Sequence, residues 1–267
     1  QTVWKDCVKG GVPPSRWVVN LDFDLLDGLV LAAVLGAHAP FLIDTHLKDM
    51  YTHPATAEQC LHNALKVVNG LRAIGIDYDI QAIDITDPNP VSLLLLCVHL
   101  YNHLPHYLPK TTVNFEGSLH APVTRHIKLS NPSKTPLTYS AKLVGEDACD
   151  FVLPRGEQMT VGARGRLQVA VQFISRFLRP ARAVLVLVGR RHGASAGTTL
   201  VFTLPTAIDN ISPKATVKCE SPCYELCRVN VDVVNPFPVG GKFRVVLVES
   251  LSDASSHGGQ GATSIMD

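Results

Sequence analysis

Arg166-Leu167-Gln168-Val169-Ala170-Val171-Gln172-Phe173 sets apolar side chains at every second position. A period of two puts neighbours on opposite faces of an extended chain, so the stretch reads as a half-buried β-strand. The same pattern recurs on both sides of it. Thr124-Arg125-His126-Ile127-Lys128-Leu129-Ser130-Asn131 and residues 137–143, 182–188 and 198–204 alternate or run apolar at strand length, with Pro, Gly and Asn between them. With residues 112–116 and 150–153 this makes about seven short strands in about 100 residues, which predicts an immunoglobulin-like β-sandwich.

Upstream of Pro109 the period is helical. Leu25, Leu26, Leu29, Val30, Ala33 and Val34 fall on one face of a helix over residues 24–38, which Pro40 ends. Thr56-Ala57-Glu58-Gln59 is a capping box, and Cys60, Leu61, Ala64, Leu65, Val67, Val68 and Leu71 continue a second helix to a C-cap at Gly75. Asn89 and Pro90 suit the cap and first position of a third helix over 91–104. That helix is apolar nearly all round and is therefore expected at the centre of the helical core.

The chain thus reads as multidomain, α then β: a helical domain over 1–110, an immunoglobulin-like β-sandwich over 111–207, and the incomplete start of a second sandwich over 208–267. In the last segment residues 215–219, 229–236 and 242–249 read as strands, and Asn235-Pro236 repeats Asn131-Pro132 104 residues on. The polar Gly/Ser run at 252–261 reads as a flexible loop, so the chain is expected to be a piece of something longer.

Hydrophobic residues make up 46% and charged residues 18% of the chain, which rules against a disordered polymer. The longest apolar stretches, 91–98 and 29–37, are far below the ~18 to 20 residues of a membrane span. Seven cysteines, an odd number, with Cys60 and Cys97 on expected buried helix faces, suit a reducing compartment. Charge is unevenly spread: residues 1–110 hold 7 Lys/Arg against 11 Asp/Glu, a net −4, and residues 111–207 hold 12 against 5, a net +7.

Asp24-Leu25-Leu26-Asp27-Gly28-Leu29-Val30-Leu31 resembles the D-x-x-DG-x-x-L element of the calponin-homology family, and Leu93 to Tyr101 resembles that family's central buried helix. Trp4 and Trp17 do not match the family's first helix, so this module is expected to be truncated at its N-terminus. Ile127-Lys128-Leu129-Ser130-Asn131-Pro132, Leu137-Thr138-Tyr139, Phe151-Val152-Leu153-Pro154 and Val169-Ala170-Val171-Gln172-Phe173 resemble the Hydin-like (ASH) immunoglobulin-like domains, relatives of major sperm protein. One module running straight into the other resembles the cilia- and flagella-associated proteins. That resemblance implies a cytoskeletal location in the axoneme, in its central apparatus, and a structural role in motility. Its implied partners are other central-apparatus proteins and possible contact with tubulin; nucleic acid and membrane are not among them.

Catalytic motifs fail their context tests. Gly193-Ala194-Ser195-Ala196-Gly197 fits the G-x-S-x-G nucleophile elbow, but a strand-like run follows where the elbow needs a helix, so a hairpin loop is expected. His99, His103 and His106 share a helix end without the Glu of a zinc-protease helix. Cys219, Cys223 and Cys227 lack C-x-x-C spacing and read as reduced, partly buried thiols. With no phosphate-cradling loop or calcium loop, no cofactor and no enzyme activity are expected.

What remains is a basic surface on the sandwich: Arg164, Arg166, Arg176, Arg179, Arg182, Arg190 and Arg191, suited to an acidic partner such as tubulin. A cytosolic adaptor binding actin through the helical module is the other reading, and the module's net −4 counts against it because actin filaments are acidic.

Overall fold

The computed structural model describes residues 8–9, 18–76, 78–191, 198–210, 215–235, 237 and 240–245. The chain divides into two compact units, Gln1–Lys214 and Ala215–Asp267. Residues 193–197 with Ser195, the side chain of Arg191, Trp4, Trp17 and residues 252–261 lie outside the described residues.

In the first unit, α1 (Leu21–Leu25) is capped by Asn20, whose side chain accepts from the Asp22 N–H. The helix expected over 24–38 is broken at Gly28, and α2 (Leu29–His38) starts afresh. Gly28 has φ +74, and a Cβ there would lie 3.2 Å from the Ala64 nitrogen, so both the turn and the approach to the next helix require glycine. The break rotates the buried face of α2 to Leu29, Leu31, Ala32 and Leu35, leaving Ala33 and Val34 exposed.

Helix α3 (Ala57–Ala73) begins where the Thr56 hydroxyl accepts from the Gln59 N–H. The Gln59 side chain reaches back to the Ala55 N–H, one residue upstream of the usual box. Asn63, fully buried, is the polar hub of this half. It accepts from the Tyr51 N–H at 2.8 Å and donates to the carbonyls of Tyr51 and Asp27 at 2.8 and 3.1 Å. One amide thereby ties together α3, the turn before α2, and β2 (Met50–Tyr51), which pairs in parallel with β1 (Val8–Lys9).

After α4 (Ala82–Thr86), α5 (Pro90–His103) is capped by Asn89, which accepts from the Val91 and Ser92 N–H groups. Only one face of α5 is buried, by Leu93, Leu96 and Leu100. Val91, Leu94, Leu95, Val98 and Tyr101 are exposed, so the helix lies on the outside of the bundle rather than at its centre. Fourteen residues of nearly continuous apolar sequence carry no polar stripe to mark the outer face, so periodicity could not show it.

The sandwich follows. One sheet runs β3-β11-β10-β6-β8 with β4 also along β11, and the other runs β5-β9-β7. The strands are β3 (Thr111–Thr112), β4 (Phe115–Ser118), β5 (Pro122–Ser130), β6 (Leu137–Val144), β7 (Phe151–Val152), β8 (Gln158–Val161), β9 (Arg166–Ile174), β10 (Arg182–Arg191) and β11 (Thr199–Asn210). β8 has no counterpart in the sequence reading, and β11 continues to Asn210 through Pro205. Phe115, Tyr139, Val171, Phe173, Leu185, Leu187 and Leu204 meet between the sheets.

β10 is apolar on both sides. Ala183, Leu185 and Leu187 face the sandwich core, while Val184 and Val186, with Val144 of β6 and Val201 of β11, belong to the helical core. A strand covered on both faces needs the continuous run Ala183-Val184-Leu185-Val186-Leu187-Val188 in place of alternation. Each of these outer valines contributes about 1.5 kcal/mol by leaving water. Tyr107, in the 3-10 turn after α5, is buried and shares a hydrogen bond with Thr199 of β11. Burial pushes its phenol up to about 12 against the opposing effect of that bond.

In the second unit, residues 215–235 and 240–245 form no strand among the described residues, contrary to the pattern at 215–219 and 229–236. A strand pattern is realised only when partners supply the backbone hydrogen bonds, and a sheet needs about three strands to hold. Cys219, Cys223 and Cys227 are exposed there, not partly buried.

Candidate protein-interaction surface

The seven arginines named from the sequence do not share one face. Strand registers sort them to opposite ends of the sandwich. Arg182 begins β10 and pairs with Pro205, while Arg190 and Arg191 end it opposite Thr138 and Leu137. Arg166 begins β9 opposite Ser130, at the same end as Arg190.

At the Arg182 end the guanidinium groups of Arg176 and Arg179 already have partners. Arg179 donates from both terminal nitrogens to Asp147, at 2.6 and 3.0 Å, and the Arg182 N–H donates to the same carboxylate at 3.1 Å. Arg176 pairs through Nε with Asp150. Both carboxylates are buried. Burial alone would raise the Asp147 carboxyl, but hydrogen bonds from Arg179 and the Arg182 backbone, with the charges of Arg179 and Arg176, hold it below its ordinary value. The Phe177 ring sits 5.2 and 5.3 Å from the Arg176 and Arg179 guanidinium carbons. With Glu146 beside Asp147, three acids balance three arginines, and these pairs fasten the loop before β10 to the turn after β6.

The other end is cationic. Lys128, Lys134, Arg164, Arg166 and Arg190 are exposed, and residues 128–137, 160–167 and 188–191, which build this end, contain no Asp or Glu. Asn131 organises it. Its buried amide donates to the carbonyls of Thr135, Val161 and Gly162 at 2.8, 3.1 and 3.1 Å, and its oxygen accepts from the Ser133 N–H and hydroxyl. The Asn131 N–H donates to the Gly165 carbonyl and the Arg164 N–H to that of Ser133, so the β5–β6 and β8–β9 loops are clamped together. Arg164, at φ 54, is held in the left-handed region by this clamp.

The cationic end adjoins an open strand edge. The Asn131 to Gly165 bond fixes the odd residues of β5 as those facing β9, so Thr124, His126, Lys128 and Ser130 turn their N–H and C=O groups outward. Among the described residues no strand pairs with β5 on that side. Its exposed Arg125, His126 and Lys128 are the kind of charges that keep an edge from indiscriminate pairing. Sequence reading missed both Asn131 as a clamp and this edge; the Asn-Pro step after an alternating strand was the visible signal for the first.

Elsewhere the His99 and His103 rings stack at 4.0 Å, with Tyr78 against His99. The His103 ring also bonds to the His99 carbonyl. His106 stands exposed in the following turn. A cleft of about 600 Å³ is lined by His46 and Ala73 of the helical half and by Lys142, Val144, Val152 and Glu157 of the sandwich. The strand that begins at Thr199 stands where a nucleophile elbow at Ser195 would require a helix. Among the described residues no helix is long and apolar enough to cross a membrane.

Residues 4–106 match the calponin homology (CH) domain family. The chain is 50% identical over 250 residues to cilia and flagella-associated protein 47 of Mus musculus, covering 93% of this chain and 8% of that protein. It is 47% identical over 255 residues to cilia- and flagella-associated protein 47 of Homo sapiens, covering 95% and 8%. The chain therefore spans about 8% of the length of these relatives. Among solved structures, the ASH/PapD-like domain 7 of human CEP192 is similar at 13% identity and TM-score 0.32, covering 39% of this chain and 84% of that one. SSP-19, an MSP-domain protein of Caenorhabditis elegans, is similar at 14% identity and TM-score 0.29, covering 35% and 94%.

Proposed function

We infer from the calponin homology domain and from a sequence about half identical over nearly its whole length that this chain is like a segment of cilia- and flagella-associated protein 47, and works in the cilium or flagellum. Within that setting it is a non-catalytic scaffold of the axoneme, in its central apparatus, holding neighbouring proteins and contacting the acidic microtubule surface. The observation that supports the contact is the cationic end of the sandwich. Lys134 and Arg164 stand on the loops clamped by Asn131, and Lys128, Arg166 and Arg190 on the strand ends beside them, in segments without a carboxylate. Pre-ordered cations facing an acidic surface steer association and lose little entropy on docking.

The test is co-sedimentation of the whole chain with microtubules across a salt series, beside a variant carrying Lys128→Glu, Arg164→Glu, Arg166→Glu and Arg190→Glu. Binding that weakens with salt and is lost in the variant supports tubulin contact. Failure to sediment at any salt would sink it and leave other axonemal proteins as the partners. Arg176 and Arg179 do not belong in that variant, because their removal leaves Asp150 and Asp147 buried without their cationic partners. Sedimentation with actin filaments instead would move the function to the calponin homology half, as an actin adaptor, against its net charge of −4.

A further inference from the structure

We propose that Cys219 and Cys227 are a reversible disulfide pair, a thiol-oxidation site within the second unit. Their sulfurs lie 3.2 Å apart, with the Cys219 thiol donating to the Cys227 sulfur, and both residues are exposed to an incoming oxidant. A disulfide needs about 2.05 Å between sulfurs, so closure asks for a shift of only about 1 Å.

The approach is built by the intervening turn. The Glu225 N–H donates to the Pro222 carbonyl at 3.1 Å, the Ser221 hydroxyl donates to the Glu225 carbonyl at 2.7 Å, and Tyr224 takes φ 67 to reverse the chain. Residues 221–225 thus fold the segment back and carry 219 and 227 together, with Cys223 inside the reversal. The turn selects one pair out of three thiols. Because the Cys219 thiol donates to the Cys227 sulfur, the bond steadies a thiolate on Cys227, which therefore attacks first; the same bond, ahead of burial, pushes the Cys219 thiol up.

The oxidant is a small-molecule disulfide such as oxidised glutathione. The Cys227 thiolate attacks one glutathione sulfur, forming a mixed disulfide and expelling a glutathione thiolate. The Cys219 thiolate then attacks the Cys227 sulfur and expels the second. Two protein thiols are oxidised, one glutathione disulfide is reduced to two thiols, and the two protons pass to the leaving thiolates. The second step is intramolecular, so the pair closes at an oxidant level where isolated thiols stay reduced. In a reducing compartment such a bond is transient and acts as a sensor.

The whole chain is equilibrated in glutathione buffers of stepped redox ratio, alkylated with N-ethylmaleimide and mapped by peptide mass spectrometry. Cys219 and Cys227 should lose alkylation together, within monomers, at an oxidised-glutathione level at least about tenfold lower than glutathionylates Cys149 or Cys223. Cys223→Ser should leave that midpoint unchanged, and Cys219→Ser should leave Cys227 alkylated at that level. The proposal is overturned if Cys219 and Cys227 stay alkylated where Cys223 is already modified, if Cys223 enters the bridge, or if the bridge joins two chains.

Discussion

Gly75 and Val188 touch across the joint between helices and sandwich: a Cβ on Gly75 would lie 3.0 Å from Val188 Cγ2. Gly75 closes α3 at φ +77, where an L side chain is strained whatever the space. Gly75→Ala should therefore cost about 2 kcal/mol, from left-handed strain and crowding together. Val188→Ala should relieve only the crowding. Urea midpoints of the two single variants and the double variant measure the split, and full rescue by Val188→Ala would show that backbone strain plays no part.

Asn63→Ala should be among the most damaging single changes in the helical half. It strips three hydrogen bonds from the backbone of Tyr51 and Asp27 in a fully buried site, a loss of about 3 kcal/mol. Thermal unfolding followed by circular dichroism reads it. A shift as small as that of an exposed control such as Glu58→Ala would refute the hub.

Asp147 links stability to acid. Its folded-state value lies below that of the unfolded chain, so its contribution is complete above about pH 4 and drains away as pH falls through the lowered value. Asp147→Asn should lower stability at pH 7 by about 2 kcal/mol and flatten the decline below about pH 4. Unchanged acid dependence in the variant would assign the decline to other groups.

Tyr107 should ionise late. With its phenol at about 12, absorbance at 295 nm should show a late step well above the ordinary tyrosine range. Because the folded value is the higher one, its contribution is whole below about pH 10 and is lost as pH rises through 12. Tyr107→Phe should delete the late step; its persistence would mean that Tyr139, also raised by burial, is the group responsible.

Much of this architecture was legible in residue spacing. Thr56, Asn89 and Pro90 announced two helix starts, and alternation in β5 and β9 announced strands. Other features depended on contacts that no local pattern contains. Gly28 looked like one more residue of a helix until α3 was seen to need the space beside it. The arginines looked like one surface because a count along the chain ignores position along a strand. Arg182 and Arg190 sit at opposite ends of β10, about 27 Å apart by strand rise. Asn63 could have been suspected, since an amide one residue before Ala64 and four before Val67 falls on a helix's apolar face.

The two-sided burial of β10 has a mechanical consequence. Tension applied between the helices and the sandwich does not meet a hinge; it meets Val184 and Val186 on one face of a strand whose other face anchors Leu185 and Leu187. Separating the two halves means peeling the central strand of the larger sheet, so stretching should break them in one cooperative event and not two. Under load such a segment behaves as one stiff link, and any bending must be taken up elsewhere in the protein.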